Sequence, residues 1–356
     1  MRVCFIGRYY HEYVTAPIKY SRALRSYVNA DDVETIFITY FFDCRNILKK
    51  LLGNETLERG VVKCGILRIV LKLLKCKIEL VHFTTLERFE IPLFIILKLM
   101  GVKVISTLHG LFYAETENDN TCGRLIDLLL ERIAIRFSDL LLIYSQYQAE
   151  RLTGKYNIRR AKIRFIYNGV ESVSSKDEKQ IFKDALRILF YKGFGDNDRG
   201  LNQLIGILTG IRGAQLLLTA LGGAEKRTVQ KTKNLIIVYE GFMQGNELND
   251  LFKEAHVVIK MPFFETFSTF TLEAMSYGVT PVVPDFIGVS RFITNGKNGL
   301  KYHADRSIEL REIIQKIADG NYNLNELSAN AADTARRLTW ENMAVQTKEF
   351  YEEIIK

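Results

Sequence analysis

Glu265 and Glu273 frame the stretch of this sequence best equipped for chemistry, Pro262-Phe263-Phe264-Glu265-Thr266-Phe267-Ser268-Thr269-Phe270-Thr271-Leu272-Glu273-Ala274-Met275-Ser276-Tyr277-Gly278. An apolar run over 257–260 predicts a strand that delivers the chain to Glu265. Ser268 or Thr269 is then placed to cap a helix, and Gly278 to stop it. Backbone N–H groups at such a helix start suit a phosphate. Glu273, about one turn into the helix, offers a carboxylate that can accept both hydroxyl hydrogens of a ribose. Glu265, in the loop before it, can reach a sugar. The same two acids would also complement the positive end of the helix dipole with no ligand at all. A second candidate stands in the first half, where Ser106-Thr107-Leu108-His109-Gly110 ends a predicted strand. A histidine there can donate a hydrogen bond to developing charge, or serve structure only. No metal site is read, since the sequence has no CxxC pair and no His/Cys cluster. Asp196-Asn197-Asp198 lies in the wrong context to bridge a divalent ion and a diphosphate, and reads as a turn.

Such residues need a scaffold that gathers strand ends. Strand candidates at 3–6, 35–40, 80–83, 102–108, 140–144 and 163–167 alternate with helix candidates at 16–28, 61–77, 90–100, 123–137 and 146–154. The strands are mostly continuous apolar runs, the pattern of parallel strands buried on both faces. The polar segment 173–179 reads as a short linker. The alternation restarts with strands near 187–191, 216–220, 235–239, 257–260 and 281–283, and helices near 199–211, 245–254, 269–277, 306–319 and 324–336. A last helix covers 340–354. The fold class is therefore α/β, with two Rossmann-like, doubly wound parallel-sheet domains facing a central cleft. The domains are read as 1–172 and 173–339, followed by a last helix within 340–356.

The chain of 356 residues suits two domains of medium size. Its 47% apolar and 25% charged residues are those of a globular protein in water. Five cysteines, an odd number, all lie in the first 122 residues, which fits a reducing cytoplasm rather than a disulfide framework. The N-terminal apolar run is too short for a secretory leader, and the longest apolar runs stop short of a membrane span. A net charge of +8 points to an anionic partner.

With these landmarks in place, the C-terminal half, and more weakly the rest, resembles family 4 glycosyltransferases, retaining enzymes of the GT-B fold. Glu265 and Glu273 match the two acids of that family's E-x7-E motif, and Gly278-Val279-Thr280-Pro281-Val282-Val283 matches the segment after it. The resemblance implies that Glu273 holds the donor ribose and that Glu265 lies by the transferred sugar. Gly193, Arg199 and Gly200 resemble a G-R-x4-K-G segment whose two cations grip the donor diphosphate. Arg199 replaces its Lys and can bind phosphate oxygens in bidentate fashion. Phe194 stands where the Arg is usual, and Lys192 should leave the strand on the opposite face. Leu221-Gly222-Gly223-Ala224 resembles the glycine-rich turn near the nucleotide, an ordinary turn being the alternative. Tyr239-Glu240-Gly241-Phe242 occupies the place where the family's backbone meets the base. His109 matches a strand-end histidine facing the sugar and leaving group. Ser145 and Asn168-Gly169-Val170 match further positions, and Trp340-Glu341 opens the last helix as in the family. The resemblance implies that 1–172 is the acceptor-side domain, 173–339 the nucleotide-sugar-binding domain, and 340–356 a helix crossing back to the first. Two departures stand out. The first loop, Gly7-Arg8-Tyr9-Tyr10-His11-Glu12, has one glycine where a pair is usual, with Arg8 as a partial stand-in. Arg291 takes the position of an acid.

Basic residues concentrate at Arg45, Lys49, Lys50, Lys63, Arg68, Lys72, Lys75 and Lys77. On the helix read over 61–77, Arg68, Lys72 and Lys75 share one face, and Ile66, Leu67, Ile69, Val70, Leu73 and Leu74 fill the other. That face is either a solvated exterior or a contact with an anionic bilayer. No motif for nucleic acid is present. The expectation is a cytoplasmic retaining glycosyltransferase, peripheral at the inner face of the cell membrane. It would take a nucleotide-diphosphate sugar donor and a saccharide or lipid-linked acceptor, with no metal or other cofactor. His109 and Glu265 are its catalytic residues, and Gly193, Arg199, Gly222, Gly223, Ser268, Thr269 and Glu273 bind the donor. Phe194, Arg291 and the altered first loop favour a rival, a non-catalytic sugar-nucleotide-binding partner. A sugar-nucleotide epimerase of the same fold is opposed by the acid pair.

Overall fold

The structure, a computed structural model, describes residues 1–9, 15–28, 33–40, 52–115, 122–171, 185–193, 200–222, 227–261 and 265–356. The chain divides into two units, Met1–Gly169 with Trp340–Lys356, and Val170–Thr339.

In the first unit, strands β1 (Arg2–Ile6), β2 (Glu34–Thr39), β3 (Asn54–Glu58), β4 (Val61–Cys64), β5 (Leu80–Phe83), β6 (Lys103–Thr107), β7 (Leu140–Ile143) and β8 (Ile163–Phe165) form one sheet. Their order is β3-β4-β2-β1-β5-β6-β7-β8. Every pairing is parallel except β3 with β4. Helices α1 (Ala16–Tyr27), α2 (Ile66–Lys75), α3 (Ile91–Leu99), the short α4 (Phe112–Glu115), α5 (Cys122–Phe137) and α6 (Gln146–Tyr156) connect them. The sheet is wound in both directions from β1, so α1 covers one face and α2, α3 and α5 the other. On the second face Ile69 and Leu73 of α2, Phe94 and Leu97 of α3, and Leu130 and Ala134 of α5 share one core with Ile6, Val81 and Val104.

The second unit repeats the plan. Strands β9 (Leu186–Gly193), β10 (Leu216–Gly222), β11 (Thr228–Lys231), β12 (Leu235–Glu240), β13 (Val257–Ile259), β14 (Thr280–Pro284) and β15 (Leu300–Tyr302) lie in the order β11-β12-β10-β9-β13-β14-β15. Only β11 runs antiparallel to its neighbour. Helices α7 (Leu201–Thr209), α8 (Asn246–Glu254), α9 (Thr269–Ser276), α10 (Ser307–Ala318) and α11 (Leu324–Arg337) flank the sheet. The final helix, α12 (Trp340–Ile355), belongs to the first unit, where it packs beside α1. Tyr351 of α12 is fully buried there, and its hydroxyl lies 2.6 Å from Nδ1 of the buried His82 on β5.

The α/β reading holds for both units, with one clear correction. The helix expected over 61–77 begins only at Ile66; residues Val61–Cys64 are instead a strand beside β2. The β-branched pair Val61-Val62 fills a buried slot in the sheet, and Gly65 separates strand from helix. The apolar face of that helix is also narrower than its sequence suggests. Ile69 and Leu73 point inward, whereas Leu67 and Leu74, expected on the packed face, are exposed together with Leu71. Strands β3, β4, β11 and β15 were not expected. The interdomain segment read over 173–179 lies outside the described residues.

Candidate functional site

In a doubly wound sheet the two windings diverge at one strand, and ligands bind beyond the carboxyl ends near it. In the second unit that strand is β9, flanked by β10 and β13. It ends on Gly193, which pairs with Gly222 at the end of β10 across a register shift. Both glycines are in positive-φ conformations, 83° and 112°. A Cβ on Gly222 would stand 2.3 Å from the carbonyl oxygen of Gly193, so the strand ends meet backbone to backbone. Close packing of the two strand ends is thus a structural reason for glycine at both of these donor-site candidates. Gly223, Phe194 and Arg199 lie outside the described residues.

On the other side of β9, Ile259 of β13 pairs with Phe190, and the chain continues through Lys260 and Met261 towards Glu265. Lys260 is buried, and its Nζ lies 2.7 Å from Oε2 of the partly buried Glu265. The sequence reading passed over Lys260. A lysine ending an apolar strand run, just before an acid-bearing loop, was the available signal. The carbonyl of Lys260 accepts a 2.5 Å hydrogen bond from the Tyr302 hydroxyl of β15, which fixes the strand end.

Ser268 precedes α9 in a left-handed conformation, φ 72° and ψ 70°. Its capping role is corrected: its hydroxyl does not take a backbone N–H of the first turn but pairs with Thr271 Oγ1 at 2.9 Å. Residues 266 and 267 are held by the following turn, where the N–H groups of Gly288 and Val289 donate to the carbonyls of Thr266 and Phe267. Phe270, in the first turn of α9, stacks on Tyr191 of β9 at 5.0 Å. The start of α9, carrying Thr269, is thereby fixed against the end of β9. Glu273 follows one turn on, partly exposed. Gly193, Gly222, Glu265, Ser268, Thr269 and Glu273 thus belong to one end of one sheet. Arg291 lies against the ring of Phe292, 5.5 Å from its centroid.

His109 belongs to the first unit, just past β6. Its Nε2 is 2.9 Å from the carbonyl oxygen of Thr84, and its Nδ1 is 2.9 Å from the Tyr144 hydroxyl. A carbonyl can only accept, so Nε2 carries the hydrogen and Nδ1 accepts from Tyr144. Burial lowers the His109 pKa to about 4, against the smaller opposing effect of the Thr84 bond. The imidazole is therefore a neutral Nε2–H donor at ordinary pH. Its hydrogen is already engaged, so donation to a substrate oxygen has to share or replace the Thr84 bond. His109 lines a cavity of about 300 Å³ at the ends of β1, β5 and β6, with Arg8, Thr85, Glu87 and Glu131 among its walls. Arg8 is not free to face a phosphate there, since its Nε pairs with Glu87 at 2.5 Å. Ser145 accepts the N–H of Gln148 at 3.1 Å and caps α6. Among the described residues, no His, Cys, Asp or Glu cluster is built to hold a metal ion, and no helix is long and apolar enough to cross a membrane.

The family described as "Glycosyltransferase Family 4" matches residues 53–172, and "Glycosyl transferases group 1" matches residues 173–337. A protein of Klebsiella pneumoniae, "Uncharacterized 41.2 kDa protein in cps region", is 23% identical over 260 residues, covering 69% of this chain and 71% of its own. Among solved structures, Anabaena Alr3699/HepE in complex with UDP superposes with a TM-score of 0.70 at 15% identity, covering 99% of this chain and 100% of that one. The same protein has also been solved with UDP-glucose. The lipopolysaccharide outer core galactosyltransferase WaaB gives a TM-score of 0.70 at 13% identity, with 99% and 100% covered. These likenesses give the GT-B fold.

Proposed function

This chain belongs to the family 4-like glycosyltransferases, and from that premise we propose that it transfers a sugar, with retention, from a nucleotide-diphosphate sugar to a saccharide or lipid-linked acceptor. The observation that carries this reading is the meeting, around the end of β9, of two close-packed glycines, the start of α9 and an ion-paired acid. The diphosphate lies at the start of α9, assisted by Arg199. Glu273 accepts the ribose hydroxyls. Glu265, held by Lys260, lies by the sugar, and His109 is the catalytic residue of the first unit.

The reaction is a front-face displacement. The acceptor oxygen bonds to the anomeric carbon on the face that the diphosphate leaves, the carbon–oxygen bond to the diphosphate breaks, and the departing phosphate oxygen takes the acceptor's proton. No covalent sugar–enzyme intermediate forms. No metal is required in this reading, because Arg199 and the helix start bear the leaving group's charge. Nucleotide-sugar use is supported by the UDP and UDP-glucose complexes of the Anabaena neighbour. A role in bacterial surface polysaccharide or glycolipid synthesis is supported by the names of the Klebsiella and galactosyltransferase relatives. With a lipid-linked acceptor, the protein works from the cytoplasm at an anionic membrane surface. Phe194 and Arg291 favour a second reading, a partner that binds sugar nucleotide without turning it over.

The test is a thermal-shift screen of nucleoside diphosphates and their sugars, followed by a donor-hydrolysis and transfer assay with membrane extract as acceptor source. A wild type stabilised by no nucleotide overturns the proposal. Binding without transfer or hydrolysis selects the second reading.

A further inference from the structure

Glu131, on α5, is an acid of the first unit that is 1% exposed. Burial raises its pKa, and hydrogen bonds from Tyr156, Phe112 and Tyr113 oppose that rise. Its Oε2 accepts the backbone N–H of Phe112, and its Oε1 accepts the hydroxyl hydrogen of Tyr156 on α6. Burying such a group costs free energy that its hydrogen bonds offset. What those bonds hold is the chain just past His109. β6 ends at Thr107, and Phe112 opens the short α4. N–H groups at a helix start have no partner within the helix. Glu131 supplies one for Phe112 and Tyr113, three and four residues beyond His109. On the other side of His109, the buried Gln148 donates from Nε2 to the Leu108 carbonyl at 2.7 Å. The Oε1 of Gln148 accepts the N–H of Tyr144 at 3.0 Å, and the Tyr144 hydroxyl in turn meets His109. His109 is thus bracketed along the chain by two buried polar side chains. Glu131 and His109 also wall the same cavity of about 300 Å³.

We propose that Glu131 is a positioning residue: by holding the N–H groups of Phe112 and Tyr113 it fixes the segment after His109, and with it the place of the imidazole in the cavity wall. This rests on the reading of His109 as the catalytic residue of the first unit. Anchoring of this kind needs an acceptor atom and not a charge, which separates it from acid–base work by Glu131 itself. A glutamine keeps one oxygen for the two N–H groups and turns its amide to the Tyr156 oxygen. A methionine of similar length leaves both N–H groups unmet. A direct effect of the Glu131 charge on the ring would lower the His109 pKa in both variants, whereas a loosened segment raises it in the methionine variant alone, as the ring gains access to water.

The full chain is compared with Glu131→Gln and Glu131→Met in three measurements: UDP affinity by calorimetry, the rate of UDP-glucose hydrolysis, and the titration midpoint of the His109 ring by NMR, its signals assigned by their loss in His109→Asn. Glu131→Met should lower kcat about 10- to 100-fold, the scale of a misplaced catalytic group, and leave UDP affinity within error. Its His109 midpoint should rise from about 4. Glu131→Gln should keep both rate and midpoint near wild type. The proposal is overturned if the glutamine variant loses as much activity as the methionine variant, since the charge and not the acceptor would then matter. It is equally overturned by a folded methionine variant with the wild-type midpoint. Should Glu131→Met fail to fold, Tyr156→Phe, which removes one of the donors that fix the carboxylate, decides by the same measurements, and a wild-type rate and midpoint there overturn the proposal. A wild type that neither binds UDP nor hydrolyses UDP-glucose counts against the transferase reading instead, and the His109 midpoints then decide the positioning role by themselves.

Discussion

Between the Thr84 carbonyl and the Tyr144 hydroxyl, His109 is held as one tautomer. Its folded pKa, about 4, lies below the unfolded value of about 6.5. Between those values the unfolded chain takes up a proton and the folded one does not. His109 therefore costs folding nothing above about pH 6.5, and weakens it progressively as the pH falls towards 4. Tyr144→Phe removes the donor that favours neutral Nδ1, so the His109 pKa should rise in that variant. An NMR titration of the ring checks this, and an unmoved midpoint would remove Tyr144 from the account. Glu273→Gln should weaken UDP binding by about 1–3 kcal/mol, the scale of a hydrogen bond to a charged group. Calorimetry reads it, and equal affinity in the folded variant excludes the ribose role. Lys260→Met takes away the cation 2.7 Å from Glu265. Transfer should fall about tenfold or more, from a lost charge-assisted bond of about 1.5–3 kcal/mol, and more than UDP affinity does. A variant with wild-type turnover leaves Lys260 as a structural lysine.

At the scale of elements, the ends of β9 and β10 depend on glycine. Gly222→Ala drives a Cβ against the Gly193 carbonyl and into a strained φ. The expected cost is about 1–3 kcal/mol in a urea titration; a loss within error would mean that the strand ends part easily. The same scale shows what sequence pattern can and cannot carry. β5, β7 and β14 are buried along their whole length, and runs such as Leu140–Ile143 announce themselves by composition. β3 and β11 are polar strands, Asn54–Glu58 and Thr228–Lys231, that exist because a neighbour offers an antiparallel edge. Their own residues contain no apolar alternation to read. β4 was hidden differently: its Val61-Val62 adjoins a strongly amphipathic helix, whose pattern absorbed it.

At the scale of the whole molecule, the last helix completes a unit that the first residues begin. Tyr351 of α12 and Thr107 of β6 occupy the two ring nitrogens of His82, at 2.6 and 2.7 Å, in a fully buried setting that lowers the His82 pKa to about 3. Tyr351→Phe leaves Nδ1 buried without that partner, at an expected cost of about 1–3 kcal/mol in chemical denaturation. A chain cut after Gly169 lacks the layer that α12 lays beside α1 and is expected not to fold cooperatively. A sharp, native-like unfolding transition in that fragment would refute this.

The sequence by itself determined the α/β class, the repetition of the plan in two units and the residues that make up the donor-site candidate. Those properties live in short windows: apolar runs, a glycine stop, two acids at a fixed spacing. Tertiary structure alone decided the rest. It put Lys260 on Glu265, because an ion pair across an irregular loop has no period. It set the Ser268 hydroxyl on Thr271 instead of the helix start, because a left-handed φ redirects the side chain. It engaged both nitrogens of His109 with residues from two other strand ends. And it left Leu67, Leu71 and Leu74 outside, because the width of a helix's buried stripe is set by the sheet beneath it and not by the helix.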